Sequence, residues 1–186
     1  TPSLFPEEYV AEFQQCQDRK PPMPFRYVRE TVEAELGQPL ETLFEWVDTQ
    51  ALASASIAQV HAARLKNGAE VVIKVQRPGV RNVLLTDFNF LYFSARVVES
   101  LAPGLSRAAL SGVIEELQAG MLEECDFLQE ARNLDQFNEF LVASGNSRVV
   151  APRPVHSHTT ARVLTMERFH GVPPTCLQVL RRYPPA

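Results

Sequence analysis

Lys74 is a charge set inside Val71-Val72-Ile73-Lys74-Val75, a run that is otherwise β-branched and apolar and reads as a buried strand. A second charge, Glu130, falls within the three-and-four spacing of Phe127, Leu134, Phe137 and Leu141, the apolar stripe of a helix. Burying one charge without a partner is costly. The two are therefore expected to meet as a buried ion pair, which requires a helix laid across a strand. A snorkelling lysine and a glutamate at the rim of its helical face would account for either residue taken alone.

A chain of 186 residues can bury one good core, or one lobe of something larger. At 45% hydrophobic and 22% charged it has the makeup of an ordinary globular domain. The net charge is −4 with both signs interspersed, so no basic stripe marks a nucleic-acid partner. Cys16, Cys125 and Cys176 are far apart and form no C-x-x-C pair, which argues against a disulfide framework or a zinc site and favours a reducing compartment. No secretory signal is apparent, and a chain opening on Thr1 is expected to be a piece of a longer protein. The most apolar helical stretch, 83–101, is interrupted by Asp87, Asn89 and Arg96. A membrane span needs about 20 mostly apolar residues, so this stretch reads as a core or docking helix.

Residues 1–48 read as helical, with Pro6 opening one helix, a rigid break at Pro21-Pro22-Met23-Pro24, and a second helix over 25–36 capped by Gly37. Strands are expected over 58–65 and 70–76, joined by a tight turn at Asn67-Gly68. A helix over 80–101 follows, then a break at Pro103-Gly104, then a long helical region over 107–143 that starts at Ser106 and bends near Gly120. Two more strands are expected over 149–155 and 162–169, and a last short helix after Gly171. The order implies an α+β fold with a small antiparallel sheet.

The segment Ala51-Leu-Ala-Ser-Ala-Ser-Ile-Ala-Gln-Val-His61, with Lys74-Val-Gln-Arg-Pro-Gly-Val80, closely resembles the UbiB/aarF-domain (ADCK-like) atypical kinases. So do Glu124-Cys-Asp126-Phe-Leu-Gln-Glu130, which looks like that family's E-x-D motif and helix glutamate, and Val163-Leu-Thr-Met166-Glu167-Arg-Phe169-His-Gly171, which resembles its hinge. The resemblance covers almost the whole chain. It implies a protein-kinase-like amino-terminal lobe over 49–171, a partial helical extension over 1–48, and the start of a truncated carboxy-terminal lobe over 172–186.

Its implications for single residues follow. In kinase-like folds a strand lysine held by a helix glutamate aims an ammonium group at nucleotide phosphates; here those would be Lys74 and Glu130. Ala53, Ser54, Ala55 and Ser56 would form the loop over the phosphates, in place of a glycine-rich loop; the eight glycines are scattered and give no G-x-G-x-x-G. Alanine restricts φ more than glycine does, which would tune nucleotide binding. Met166 would be the gatekeeper, and backbone from Glu167 to Phe169 would bind adenine. Glu124 and Asp126 would form a regulatory element. On a continuous helix Asp126 would share the face of Glu130 and reach the nucleotide, while Glu124 would point toward the extension. The family's K-x-G-Q, catalytic-loop and D-F-G segments do not occur in these residues; Asp87-Phe88-Asn89 lies in the wrong place for metal binding.

The resemblance implies ATP (or ADP) binding with magnesium, metal ligands outside these residues, and ATP hydrolysis or small-molecule phosphoryl transfer supporting isoprenoid quinone metabolism. Quinone-pathway proteins or lipid are the implied partners, at a membrane in bacteria, mitochondrion or plastid. A nucleotide-gated scaffold without phosphoryl transfer is the alternative; a true protein kinase is disfavoured by the alanine-rich loop. The other candidates have plainer readings. His156 and His158 are expected as edge histidines of a strand without a third metal ligand. His61 reads as structural, Trp46 as packing helix on sheet, and Leu84-Leu85 and Val97-Val98 as core, unless they leave an apolar strip exposed for docking. Glu115, Glu116 and Glu123 read as a solvated face.

Overall fold

The computed structural model describes residues 21–101 and 110–171. Helix α1 (Phe25–Leu36) and a single turn α2 (Leu40–Leu43) lead into strand β1 (Phe44–Ser54). β2 (Ala58–Leu65), β3 (Glu70–Gln76) and, after helices α3 (Val80–Leu101), α4 (Leu110–Glu123) and α5 (Phe127–Ala143), β4 (Val163–Glu167) complete the elements. The strands form one antiparallel sheet in the order β1-β2-β3-β4. This is the expected α+β arrangement.

Alternation along β3 splits the core. Val71, Ile73 and Val75 point to one face, where they join Val28 and Val32 of α1, Phe44, Ala63, Leu65 and Val163. Lys74 points to the other face, with Val60 of β2 and Leu164 of β4 as its cross-strand neighbours. A smaller apolar cluster there joins Ala58 and Leu164 to Phe127 and Ala131 of α5. The sheet is thus held between α1 and α5, and the misplaced lysine faces the helix that carries Glu130.

Several local expectations are met. α1 ends where Gly37 adopts a left-handed conformation (φ 69°) and its amide donates to the Glu33 carbonyl at 2.9 Å. α3 has the expected bounds. The β2–β3 hairpin turns at Lys66-Asn67-Gly68, closed by Gly68 N–H to the Leu65 carbonyl at 2.9 Å. Gly68 sits at φ 86°, so the connection is a three-residue bulged loop rather than a two-residue turn.

Other expectations are corrected. Helical character ends at Leu43, so residues 44–48 belong to β1 and a division of the chain at 48 falls inside that strand. No strand forms over 149–155: Pro152 and Pro154 lack the amide a ladder needs, and a single bridge, Pro154 to Met166, remains. The long helical region is interrupted at Glu124-Cys125-Asp126, not bent at Gly120. Trp46 lies on β1, 41% exposed, and Val97 and Val98 are exposed on α3 instead of buried. α3 pairs with α4 and leaves Phe90, Phe93 and Leu101 in solvent. The expected helices before residue 21 and after Gly171, and the break at Pro103-Gly104 with Ser106, lie outside the described residues. No described helix is long and apolar enough to cross a membrane.

Candidate functional site

Lys74 Nζ donates to Glu130 Oε2 at 2.6 Å and lies 4.7 Å from the centroid of the Phe127 ring. The side chains remain 22% and 35% exposed, so the pair is half-buried rather than buried. The reason is an open cleft of about 510 Å³ at the pair, lined by Ile57, Lys74, Gly120, Glu123, Glu124, Gln129, Glu130 and Asn133. That volume lies in the range of small-molecule sites. Among the described residues Lys74 is the one cation in the lining, facing the three carboxylates of Glu123, Glu124 and Glu130.

Lys74 and Gln76 of β3, with Arg77 just past its end, organise what surrounds the cleft. Lys74 holds α5 through Glu130. Gln76, on the same strand face two positions on, donates from Nε2 to the Cys125 carbonyl at 2.8 Å and so fixes the Glu124–Asp126 break against the sheet. Cys125 is itself buried, and desolvation pushes its thiol pKa up, which suits an inert packing residue. Arg77 donates from Nε to the Ala55 carbonyl at 2.9 Å and from one Nη to the Ser54 hydroxyl at 2.7 Å. Gln76 and Arg77 were not singled out from sequence. A second polar residue on the lysine's side of an apolar strand is the signal that would have found Gln76.

The break sets the directions of Glu124 and Asp126, and reverses the expected ones. Asp126 is the N-cap of α5: its Oδ1 accepts from the Leu128 amide at 3.0 Å, and its Oδ2 lies 3.9 Å from Arg132. It is absent from the cleft lining. Glu124, one residue past the end of α4, does line the cleft, together with Glu123. Glu123 is thereby also more than a solvated-face residue; Glu115 and Glu116 are exposed, as read.

Ala53 and Ser54 finish β1, and Ala55 and Ser56 form the turn, with the Ala55 amide donating to the Ala58 carbonyl at 2.8 Å. Ile57, the next residue, is the part of this segment that lines the cleft; Ser56 borders a separate groove with Met23, Tyr27 and Arg77. Met166 pairs with Val72 across the sheet and packs on the Ala58–Phe127–Ala131–Leu164 cluster beside the lysine. Glu167 is bound twice to Arg153: its amide donates to the Arg153 carbonyl and its carboxylate accepts from the Arg153 amide, each at 3.0 Å. Its amide is therefore already committed. Phe169 lies past the strand end, half exposed.

His156 and His158 sit in a 3-10 turn rather than on a strand, His156 beside Asp135 at 2.9 Å and His158 edge-on to Phe44. Among the described residues no group of three or more His, Cys, Asp or Glu could hold an ion. The geometry suits an anionic ligand met by one oriented ammonium.

The family profile described as ABC1 atypical kinase-like domain matches residues 15–184. An uncharacterized chloroplastic aarF domain-containing protein kinase of Arabidopsis thaliana is 47% identical over 182 residues, which cover 97% of this chain and 34% of that protein. UbiB of Pseudomonas aeruginosa, named as a probable protein kinase, is 35% identical over 178 residues, 96% of this chain and 33% of the relative. Among solved structures, Rv3197 of Mycobacterium tuberculosis, determined with erythromycin, superposes with a TM-score of 0.68 at 28% identity over 91% of this chain and 42% of that one. The chain thus spans about a third of the length of these curated relatives. An antiparallel sheet with a helix glutamate meeting a strand lysine, and a match along nearly its whole length, place the chain in the ABC1, or aarF/UbiB, atypical kinase-like family.

Proposed function

We propose that this chain is the nucleotide-binding lobe of an atypical kinase or ATPase, with the extension ending near Leu43 and the lobe running from β1 to the residues around Phe169. The observation that carries the reading is the Lys74–Glu130 contact of 2.6 Å at the wall of an open cleft. An ammonium held from behind by a carboxylate and an aromatic ring presents its remaining donors to the cleft, which suits a phosphate oxygen. Lys74 would hold the phosphates. Met166 and the backbone from Glu167 to Phe169 would flank adenine, and the turn at Ala53–Ser56 would shape the near side of the phosphate site. ATP would enter as its magnesium complex: Glu123 and Glu124 repel an uncompensated polyphosphate, and the described residues offer no metal cage of their own.

The resemblance to the UbiB kinases supports isoprenoid quinone metabolism at a membrane as the setting, with quinone-pathway proteins or lipid as partners. The acidic lining favours one further reading. Carboxylates beside the phosphate-binding lysine keep the cleft closed to polyphosphate until they are neutralised, which suits a nucleotide-gated scaffold that transfers nothing.

Calorimetric titration of the full-length protein with ATP and ADP, with and without magnesium, tests the proposal. Wild type should bind the magnesium complexes and Lys74→Ala should bind at least about tenfold more weakly. Ala53→Gly and Ala55→Gly should change the ratio of ATP to ADP affinity, because glycine opens φ values that alanine avoids. A wild-type protein that takes up no nucleotide would overturn the reading. Binding without ATP turnover would select the scaffold.

A further inference from the structure

The alanine-rich turn, through Arg77, and the neighbouring strand β2, through Gln59, are both bonded to one short segment ahead of α1. Arg77, already bonded to the Ala55 carbonyl and the Ser54 hydroxyl, donates from an Nη to the Pro21 carbonyl at 2.8 Å. Gln59 of β2 takes Met23 from both sides: its Oε1 accepts from the Met23 amide at 2.7 Å and its Nε2 donates to the Met23 carbonyl at 3.3 Å. The segment so gripped is Pro21-Pro22-Met23-Pro24, in which three of four residues have φ fixed by a ring. Pro24 stands at φ −53°, ψ 136°, close to the polyproline conformation, immediately before α1. Such a segment resists bending, so a displacement at one end is passed on rather than absorbed.

We propose that Pro21–Pro24 is a stiff splint that sets the conformation of the alanine-rich turn, with Arg77 and Gln59 as the positioning residues that couple them. Arg77 suits the task because its planar fork reaches three oxygens on two stretches of chain at once: Ser54 and Ala55 at the turn, and Pro21 of the splint. Lysine in its place would keep the charge and lose the geometry. The amide of Arg77 also donates to the Ile57 carbonyl at 2.9 Å, so the same residue anchors the turn at its far side, next to the cleft lining. A change in whatever holds the chain ahead of Pro21 would then alter the turn beside the phosphate site without touching the nucleotide. This coupling deepens the nucleotide-binding reading and rests on it for its consequence, although not for its mechanics.

The test uses the full-length protein and measures amide exchange at Ala55 together with Mg-ADP and Mg-ATP affinity. The informative variant is the double substitution Pro21→Gly, Pro22→Gly. Both prolines are exposed, neither has an amide hydrogen to lose, and neither side chain bonds the turn, so the fold and the Arg77 bonds stay available. With the splint softened, exchange at Ala55 should rise about tenfold, and Arg77→Lys should raise it by a similar factor. The ratio of ATP to ADP affinity should move in the same direction in both. Unchanged exchange at Ala55 in the double-glycine variant would overturn the splint, because a merely local role for Arg77 predicts no effect from that site. If wild type binds no nucleotide but Ala55 responds, the splint stands and the nucleotide reading falls; if nucleotide binds and Ala55 is indifferent, the reverse holds.

Discussion

At the scale of single residues, the half-burial of Lys74 and Glu130 decides how their loss should register. Exposed pairs contribute roughly 0.2–1 kcal/mol and fully buried ones cost about 3–5 kcal/mol to break. A pair that is 22% and 35% exposed sits nearer the first case. Glu130→Gln should therefore lower the melting temperature by only a few degrees, at about 2–4 °C per kcal/mol for a chain of this size. The same substitution should weaken nucleotide binding by about tenfold, since it frees the ammonium to swing out of the cleft. Scanning calorimetry beside a titration separates the two effects; a large thermal loss with unchanged affinity would make the pair purely structural. His61 gives a pH-dependent counterpart. Its ring is buried, Nδ1 donates to the Asp48 carbonyl at 2.7 Å, and Nε2 meets the Gln59 amide at 2.8 Å. Because Gln59 Oε1 is taken by Met23, its NH₂ faces the ring, so ring Nε2 must accept and the imidazole is neutral. Burial pushes the pKa below its ordinary value of 6.5, while the Asp48 carbonyl opposes the shift. The unfolded chain then takes up a proton near pH 6.5 that the folded chain refuses. This contribution to stability is whole above pH 6.5 and falls away as pH drops below it. Melting temperature should decline from pH 7.5 to 5.5 in wild type, with a shallower slope in His61→Gln.

At the scale of elements, α5 shows which features could be read from residues and which could not. Asp126 followed by Gln129 is a capping signature at the sequence level, and that cue, rather than Gly120, marks the start of the helix. Asp126→Ala should cost about 1 kcal/mol and Asp126→Asn much less, because asparagine can still accept the Leu128 amide. Glu124→Gln should leave stability unchanged and, by removing a negative charge from the cleft, tighten nucleotide binding at low magnesium. Denaturant midpoints and titrations check the pair; if Asp126→Asn instead moved nucleotide affinity as much as Glu124→Gln, the assignment of Glu124 rather than Asp126 to the cleft would fail. Helix α1 and the β2–β3 hairpin were legible because their signals are local: a glycine that takes a left-handed cap, and alternation across a short turn. β1 was not, since its register shifts after Phe44, Val47 and Ala51 scramble the two-residue period, and most of the strand faces solvent. The run 149–155 misled for the opposite reason, having strand-like valines but prolines where amides are needed. Of the site, the lysine and glutamate were legible as charges in apolar patterns. Gln76 is marked only as a second polar residue on the lysine's side of the strand, and the bonds of Arg77 go to the Ser54 hydroxyl and to backbone oxygens that no sequence pattern displays.

At the scale of the whole molecule, the two faces of the sheet are unequally secured. The α1 face carries a dozen buried side chains from Met23 to Val163, whereas the α5 face is held by Ala58, Phe127, Ala131 and Leu164 with partly buried neighbours. Further along α5 the expected stripe thins out: Leu141 is buried, but Phe137 is 45% exposed. The element that carries Glu130 is therefore the more weakly docked, and it is the one whose position decides whether Lys74 is held. Free energies of local opening track buried apolar contact, so amides in α5 should exchange faster than those of β2 and β3. Phe127→Leu removes the ring beside the lysine while keeping much of the apolar volume. It should speed exchange in α5 by about tenfold and leave β2 and β3 near wild type. Val32→Ala, on the opposite face, should instead lower global stability by about 1–3 kcal/mol and accelerate exchange throughout. Saturating Mg-nucleotide should slow α5 exchange in wild type, because a ligand that binds only when Lys74 is held stabilises the docked helix by mass action. If α5 and the β2–β3 hairpin opened together at one common rate in wild type and in both variants, the lobe would be a single cooperative unit, and the helix could not act as its movable part.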